Sequence, residues 1–317
     1  MESNQKKAML AVVLGATIFG FLGISTRFFN SNYGLNSMEI TAIRLTFASI
    51  FLLLIMAVLA RDKLKIRKQD IPLLFVFGIF KIASDVTFFY SQTTIQLGLS
   101  TLLQMTAPYY VMLISLVLFR ERLTWRKLFA LSIGTIGAVF VTDVLFGEVD
   151  MEIAGVLSAI ASGLFFGLFL IGGRLFNQRG IHPATSLFYT FLFADCIALP
   201  FCFQGNLAEA VFSVDGFLMC LALGILMTLV PFFLYTWSTQ YIVPTLSSMI
   251  SVLEVVTATL VGFFIFGENV SVMNIIGMSM VILSIILMNI KLHSDYRKKF
   301  GEYIPDKLKP FRRKQEH

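Results

Sequence analysis

The chain has 317 residues, 57% of them hydrophobic and only 14% charged, and it carries 25 Lys and Arg against 19 Asp and Glu. Soluble domains are about one quarter charged, so this composition excludes a water-soluble fold and makes lipid the main solvent. The net charge of +6 would suit a nucleic-acid partner only if the basic residues formed one surface. They fall instead in the gaps between apolar runs, and no nucleic acid is expected.

A membrane-crossing helix needs roughly 20 apolar residues. Ten runs qualify in chain order: 8–28 (span 1), 38–60 (span 2), 71–92 (span 3), 98–119 (span 4), 126–145 (span 5), 153–174 (span 6), 183–204 (span 7), 216–239 (span 8), 244–266 (span 9) and 272–290 (span 10). The first run follows Lys6 and Lys7 and is longer than a signal-peptide core, so it reads as a retained span. The segment 291–317 is too polar to cross.

With the N-terminus in the cytoplasm, 22 of the 25 Lys and Arg fall in inner loops and termini. The other three, Arg27, Arg44 and Lys81, lie within spans or at their ends, while the outer loops carry Glu148, Asp150, Glu209 and Asp215. The positive-inside rule therefore predicts both termini cytoplasmic in a multi-pass protein of the plasma (inner) membrane. The basic tail would attract anionic lipid headgroups, at about 1 kcal/mol per basic residue near the surface.

No cofactor, metal or enzymatic chemistry is indicated. Cys196, Cys202 and Cys220 lie in apolar segments with no zinc-motif spacing. There is no G-x-x-x-x-G-K phosphate loop and no H-E-x-x-H zinc motif.

The chain repeats itself at an offset of 146–147 residues. Arg27-Phe28-Phe29-Asn30 matches Arg174-Leu175-Phe176-Asn177, Gly20 matches Gly167, and Gly34-Leu35 matches Gly180-Ile181. Further on, Gly78-Ile79 matches Gly224-Ile225 and Glu121 matches Glu268. Five spans per repeat is an odd number, so the second copy enters the membrane from the opposite side. The expected fold is all-α and integral to the membrane: ten transmembrane helices as two inverted five-helix repeats, 1–145 and 146–290, with 291–317 a basic cytoplasmic tail. In such folds substrate binds near the midplane between the repeats.

Particular residues carry a family resemblance over about residues 8–290. They are Glu39-x4-Arg44-Leu45, Thr106-Ala107-Pro108, Phe119-x-Glu121-Arg122-Leu123-Thr124, Leu253-Glu254 and Phe266-Gly267-Glu268. The chain resembles the drug/metabolite transporter superfamily, within it the EamA-type ten-helix transporters. That resemblance implies a secondary transporter, with export of amino acids or related small metabolites among the family's activities. Carriage of nucleotide-sugars or drug-like cations is the alternative, and an intramembrane enzyme or a scaffold are rivals of another class. Family members often have proline after the glutamate of span 9; Val255 stands here, and a straighter helix is expected at that point.

Charge within a bilayer is expensive, so intramembrane ionisable residues are functional candidates. Lys81 and Asp85 are one turn apart on span 3 and share a face. Lys81 could meet a substrate carboxylate, Asp85 an amine or a proton; a self-neutralising structural pair is the alternative. Glu254, midway along span 9 with no basic residue one turn away, is a candidate amine ligand or proton carrier. Gln104, Tyr109, Tyr235 and Trp237 could line the substrate pocket. Glu39, Arg44, Glu121 and Glu268 read as structural or gating groups at or near span ends, and Pro108 and Pro231 as kinks. Asp195 in span 7 has no counterpart in the other repeat.

Overall fold

The computed structural model describes residues 2–95, 97–121, 124–141, 152–201, 206–267 and 270–289, and among them every regular element is helical. Span 1 runs as Glu2–Phe19 and Leu22–Tyr33, span 2 as Ser37–Leu59 and span 3 as Ile71–Thr94. Span 4 is Leu97–Gln104 with Ala107–Leu118, and span 5 is Trp125–Val141. In the second half, span 6 is Ile153–Gln178 and span 7 is Pro183–Ala198. Span 8 joins Val214–Leu221, a π turn Ala222–Leu229 and Val230–Ser238. Span 9 is Pro244–Ser251 with Leu253–Phe266, and span 10 is Val272–Asn289. Among the described residues, seven helices are long and apolar enough to cross a bilayer outright, and spans 7 and 10 are shorter apolar helices.

Two of the span ends that differ from the sequence expectation do so for evident reasons. Span 1 continues to Tyr33 because Gly34, at φ 63°, supplies a left-handed cap on which Leu35 N–H reaches back to the Phe29 carbonyl. Span 7 stops at Ala198, followed by a 3-10 turn Leu199–Phe201 in which Pro200 cannot donate to a continuing helix. The start of span 2 is a capping box: the Asn36 side chain accepts from Met38 and Glu39 N–H, and the Glu39 carboxylate accepts from Asn36 N–H at 2.8 Å.

The straighter helix expected at Val255 is not found. Span 9 breaks at Val252, one turn earlier. Ser248 and Ser251 donate to the carbonyls of Thr245 and Ser248 at 3.0 and 2.6 Å, and such back-bonding bends helices. The matching break in span 4 falls at Met105–Thr106, just before Pro108, so broken helices face each other from the two repeats.

Packing obeys the inverted repeat residue by residue. Span 3 lies on spans 6 and 7, and span 8 lies on spans 1 and 2. Gly20 presses on Thr257 and Ala258, while Gly167 presses on Ala107, Tyr110 and Val111. Gly78 touches Phe193 and Ala194, and Gly224 touches Phe47 and Ala48, with every member offset by 146. Beyond this point the offset becomes 147: Gly15 lies against the Pro231 carbonyl, and Ser84 donates to the carbonyl of Ser162. The extra residue is absorbed in the π turn Ala222–Leu229, where Val230 N–H bonds Ile225, five residues back.

Spans 5 and 10 cross on the repeat axis with their backbones touching. A Cβ built on Gly277 would lie 2.5 Å from the Gly137 carbonyl. The outer faces of the bundle are apolar, with Leu54, Val58, Val117, Phe129 and Phe264 exposed, as a lipid-facing surface requires. Polar side chains such as Lys81, Ser84, Asp85 and Thr228 turn inward.

Candidate functional site

The buried charges meet where spans 2, 3, 8 and 9 converge. Asp85 accepts from the Lys81 ammonium, and Arg44 Nη2 stands 3.9 Å from its other oxygen. Arg44 comes from span 2, so the sequence reading that set it among structural residues separated it from partners the fold brings together. Lys81 is fully buried and Arg44 is 4% exposed, which leaves one carboxylate serving two cations out of water. Arg44 also lies within electrostatic reach of Glu254. Glu254 sits deep in the bundle yet keeps part of its surface accessible, as a cavity-lining side chain does.

Two donors in this cluster stay unused. Arg44 Nε and the Tyr235 hydroxyl are buried without a hydrogen-bond partner. The Tyr235 hydroxyl lies beside Ser251 and within electrostatic reach of Glu254. A buried polar group left unpaired costs about 1–3 kcal/mol, so these atoms mark where a ligand would be welcome.

Three phenylalanines that sequence reasoning passed over surround the Lys81 ammonium. Its nitrogen lies 4.8 Å from the Phe232 ring centre, 5.9 Å from Phe191 and 6.0 Å from Phe169. The signal was in the repeat: Phe232 occupies the position that Asp85 has in the first half, offset by 147. A narrow cleft lined by Phe169, Gly173, Tyr235, Thr239, Pro244 and Ser247 leads toward these rings from the end of the bundle that bears the Lys- and Arg-rich loops.

At that basic end Glu121 ties the repeats together. Its carboxylate accepts from Lys127 at 3.4 Å and from Thr245 Oγ1 at 2.9 Å, and Arg174 Nη1 stands 3.9 Å away. Arg174 also stacks 4.9 Å over Phe119. Thr245 follows Pro244, which lines the cleft. Asp70 and Arg179 pair nearby at 3.5 Å, again across the repeats.

The remaining candidates are placed as follows. Glu39 caps span 2. Gln104 is buried at the break of span 4. Pro108 and Pro231 begin the second halves of spans 4 and 8. The Tyr109 hydroxyl shares a 2.8 Å bond with Thr135 of span 5, and Trp237 packs on Tyr241 with ring centres 5.1 Å apart. Asp195 gains a partner invisible in the sequence, the Thr46 hydroxyl of span 2 at 2.8 Å. Glu268, Cys202 and the tail 291–317 lie outside the described residues. No group of His, Cys, Asp and Glu that could hold a metal ion occurs among the described residues.

Comparison with known proteins agrees with this architecture. A model of the EamA-like transporter family matches residues 6–143 and again 153–290. An uncharacterized transporter of Archaeoglobus fulgidus is 27% identical over 280 residues, covering 87% of this chain and 94% of its own. The uncharacterized inner membrane transporter YicL of Salmonella typhimurium is 24% identical over 295 residues, with 90% and 96% covered. A solved crystal structure superposes at a TM-score of 0.74 and 18% identity, over 92% of this chain and 99% of that one, a likeness of fold.

Proposed function

The chain belongs to the EamA-like transporter family, and we propose that this membrane transporter exports amino acids or related small metabolites by alternating access. One observation carries the reading: opposite charges are gathered, partly unsatisfied, on the interface between two inverted repeats. Arg44 and Lys81 offer cations to a substrate carboxylate, with Arg44 Nε an open buried donor. Asp85 and Glu254 offer carboxyls to an amine. A zwitterion brings one charge of each sign and no net charge, so it enters without leaving a buried ion uncompensated. A nucleotide-sugar would need more cations than the cluster can spare, since its diphosphate carries two negative charges and Asp85 already engages both Arg44 and Lys81.

In this mechanism the Glu121, Lys127, Arg174 and Thr245 network is the gate at the basic end, and protons through Glu254 are the candidate driving ion. The test is counterflow in proteoliposomes preloaded with each of the 20 common amino acids in turn. Saturable exchange of at least one, at a rate at least tenfold above protein-free vesicles, is expected. Exchange of none would refute amino acids as the substrate.

The proposed orientation has both termini in the cytoplasm of an inner membrane, motivated by the basic loops around Arg61–Leu64, Arg120 and Arg179. In a background without native cysteines, Asn32→Cys is expected to react with a membrane-impermeant maleimide in intact cells, and Lys65→Cys only after lysis. Labelling of Lys65→Cys from outside would reverse the orientation.

A further inference from the structure

We propose that Phe169, Phe191 and Phe232 form the ammonium subsite of the transport site, and that Lys81 fills it in the unloaded protein. The proposal rests on the reading of the site as one for amine-bearing substrates. It adds that the protein carries its own stand-in for the substrate's positive end.

Neutralising Asp85 needs one cation and no aromatic ring. Here two cations share that carboxylate, and ring faces take up the surplus positive charge on Lys81. Aromatic cages are a recurrent device for holding alkylammonium ions, and here the rings pack on one another. Phe232 stands edge-to-face with Phe169 at 5.3 Å and 88° and with Phe191 at 5.5 Å and 87°. Phe191 and Phe232 are at most 2% exposed, so the rings hold each other rather than adapting to solvent. The lysine reaches them on a flexible four-carbon stem, which can withdraw.

The positions of the rings fit an exchange. Phe232 is the repeat mate of Asp85, so the ammonium lies between the two mates, a carboxylate on one side and a ring on the other. Phe169 also lines the cleft that runs to the basic end. A substrate ammonium arriving along it meets the cage first. As it settles between the rings and Asp85, Lys81 swings out and pairs with the substrate's carboxylate, beside Arg44. The zwitterion adds one charge of each sign, so the net buried charge is the same before and after it binds.

The direct test uses n-butylammonium, which is the lysine side chain without its tether. Purified Lys81→Ala in detergent should show an unfolding midpoint raised by several degrees with millimolar n-butylammonium chloride and not with 1-butanol. Adding Phe232→Leu to that variant should weaken the dissociation constant at least tenfold. A folded Lys81→Ala protein with no ammonium-specific shift, or a shift that survives Phe232→Leu, overturns the proposal.

Should Lys81→Ala not fold, the otherwise intact chain still decides. Acylation of Lys81 by acetic anhydride, followed by mass spectrometry, should be several times faster in Phe232→Leu than in wild type. It should be unchanged in Phe19→Leu, which loosens the same packing at 4.9 Å from Phe232 without facing the ammonium. Equal rates in all three proteins, or equal rises in both variants, overturn the proposal. None of these measurements needs transport. Cage binding without amino-acid counterflow therefore refutes the substrate reading alone, and counterflow without cage binding refutes the cage alone.

Discussion

Asp85→Asn is expected to be the most damaging single neutralisation in the bundle. It removes the carboxylate that serves both Lys81 and Arg44 and strands two cations away from water. Breaking a buried pair this way costs about 3–5 kcal/mol. Lys81→Met should cost less, because Arg44 remains 3.9 Å from Asp85 and can close on it. The double variant Lys81→Met/Asp85→Asn leaves Arg44 with Glu254 in reach and should recover most of the lost stability. Its transport should still fall by at least about a hundredfold, since charged hydrogen bonds to a substrate each contribute roughly 1.5–3 kcal/mol. The measurements are unfolding midpoints in detergent and counterflow in proteoliposomes. A double variant that transports normally would make the pair a structural lock.

Glu254→Gln is expected to separate exchange from accumulation. Glutamine keeps the shape and hydrogen-bonding capacity of a neutral carboxyl and cannot carry a proton. If one proton moves per substrate, a one-unit pH gradient supports about a tenfold accumulation, because each such unit is worth 1.36 kcal/mol. Wild type should approach that ratio. Glu254→Gln should fall to a ratio near one while still exchanging labelled for unlabelled substrate. The titratable groups facing this position are Arg44 from span 2 and the Tyr235 hydroxyl from span 8. Gradient-driven accumulation at the wild-type ratio in Glu254→Gln would remove that residue from coupling.

The fold was legible because its constraints are one-dimensional. Apolar length gives the spans, and matched pairs such as Gly34-Leu35 with Gly180-Ile181 give the repeat; in the structure that pair is a shared helix cap with the same left-handed glycine. Lys81 and Asp85 could be paired because they ride on one helix. Arg44 could not be joined to them, because nothing in spacing says that a residue of span 2 faces span 3 rather than lipid. The cage was hidden in abundance: among 33 phenylalanines no local pattern marks the three that matter. Asp195 shows the same limit, its partner Thr46 lying 149 residues away. Val255 in place of proline does not leave span 9 straight, because the hydroxyls of Ser248 and Ser251 bond back along this helix.

The one-residue slip in span 8 bears on how a two-fold scaffold can read a molecule with unlike ends. An α-helix turns by about 100° per residue, so removing one residue from 222–229 would swing Phe232 and Tyr235 off the arc that faces Asp85. A perfectly duplicated first half would instead set a second lysine–aspartate pair opposite Lys81 and Asp85. Any substrate on that axis would see the same surroundings head-first or tail-first and could lie either way round. With a ring where the second carboxylate would be, the two directions differ in energy, and the amine end of a bound zwitterion has one place to go.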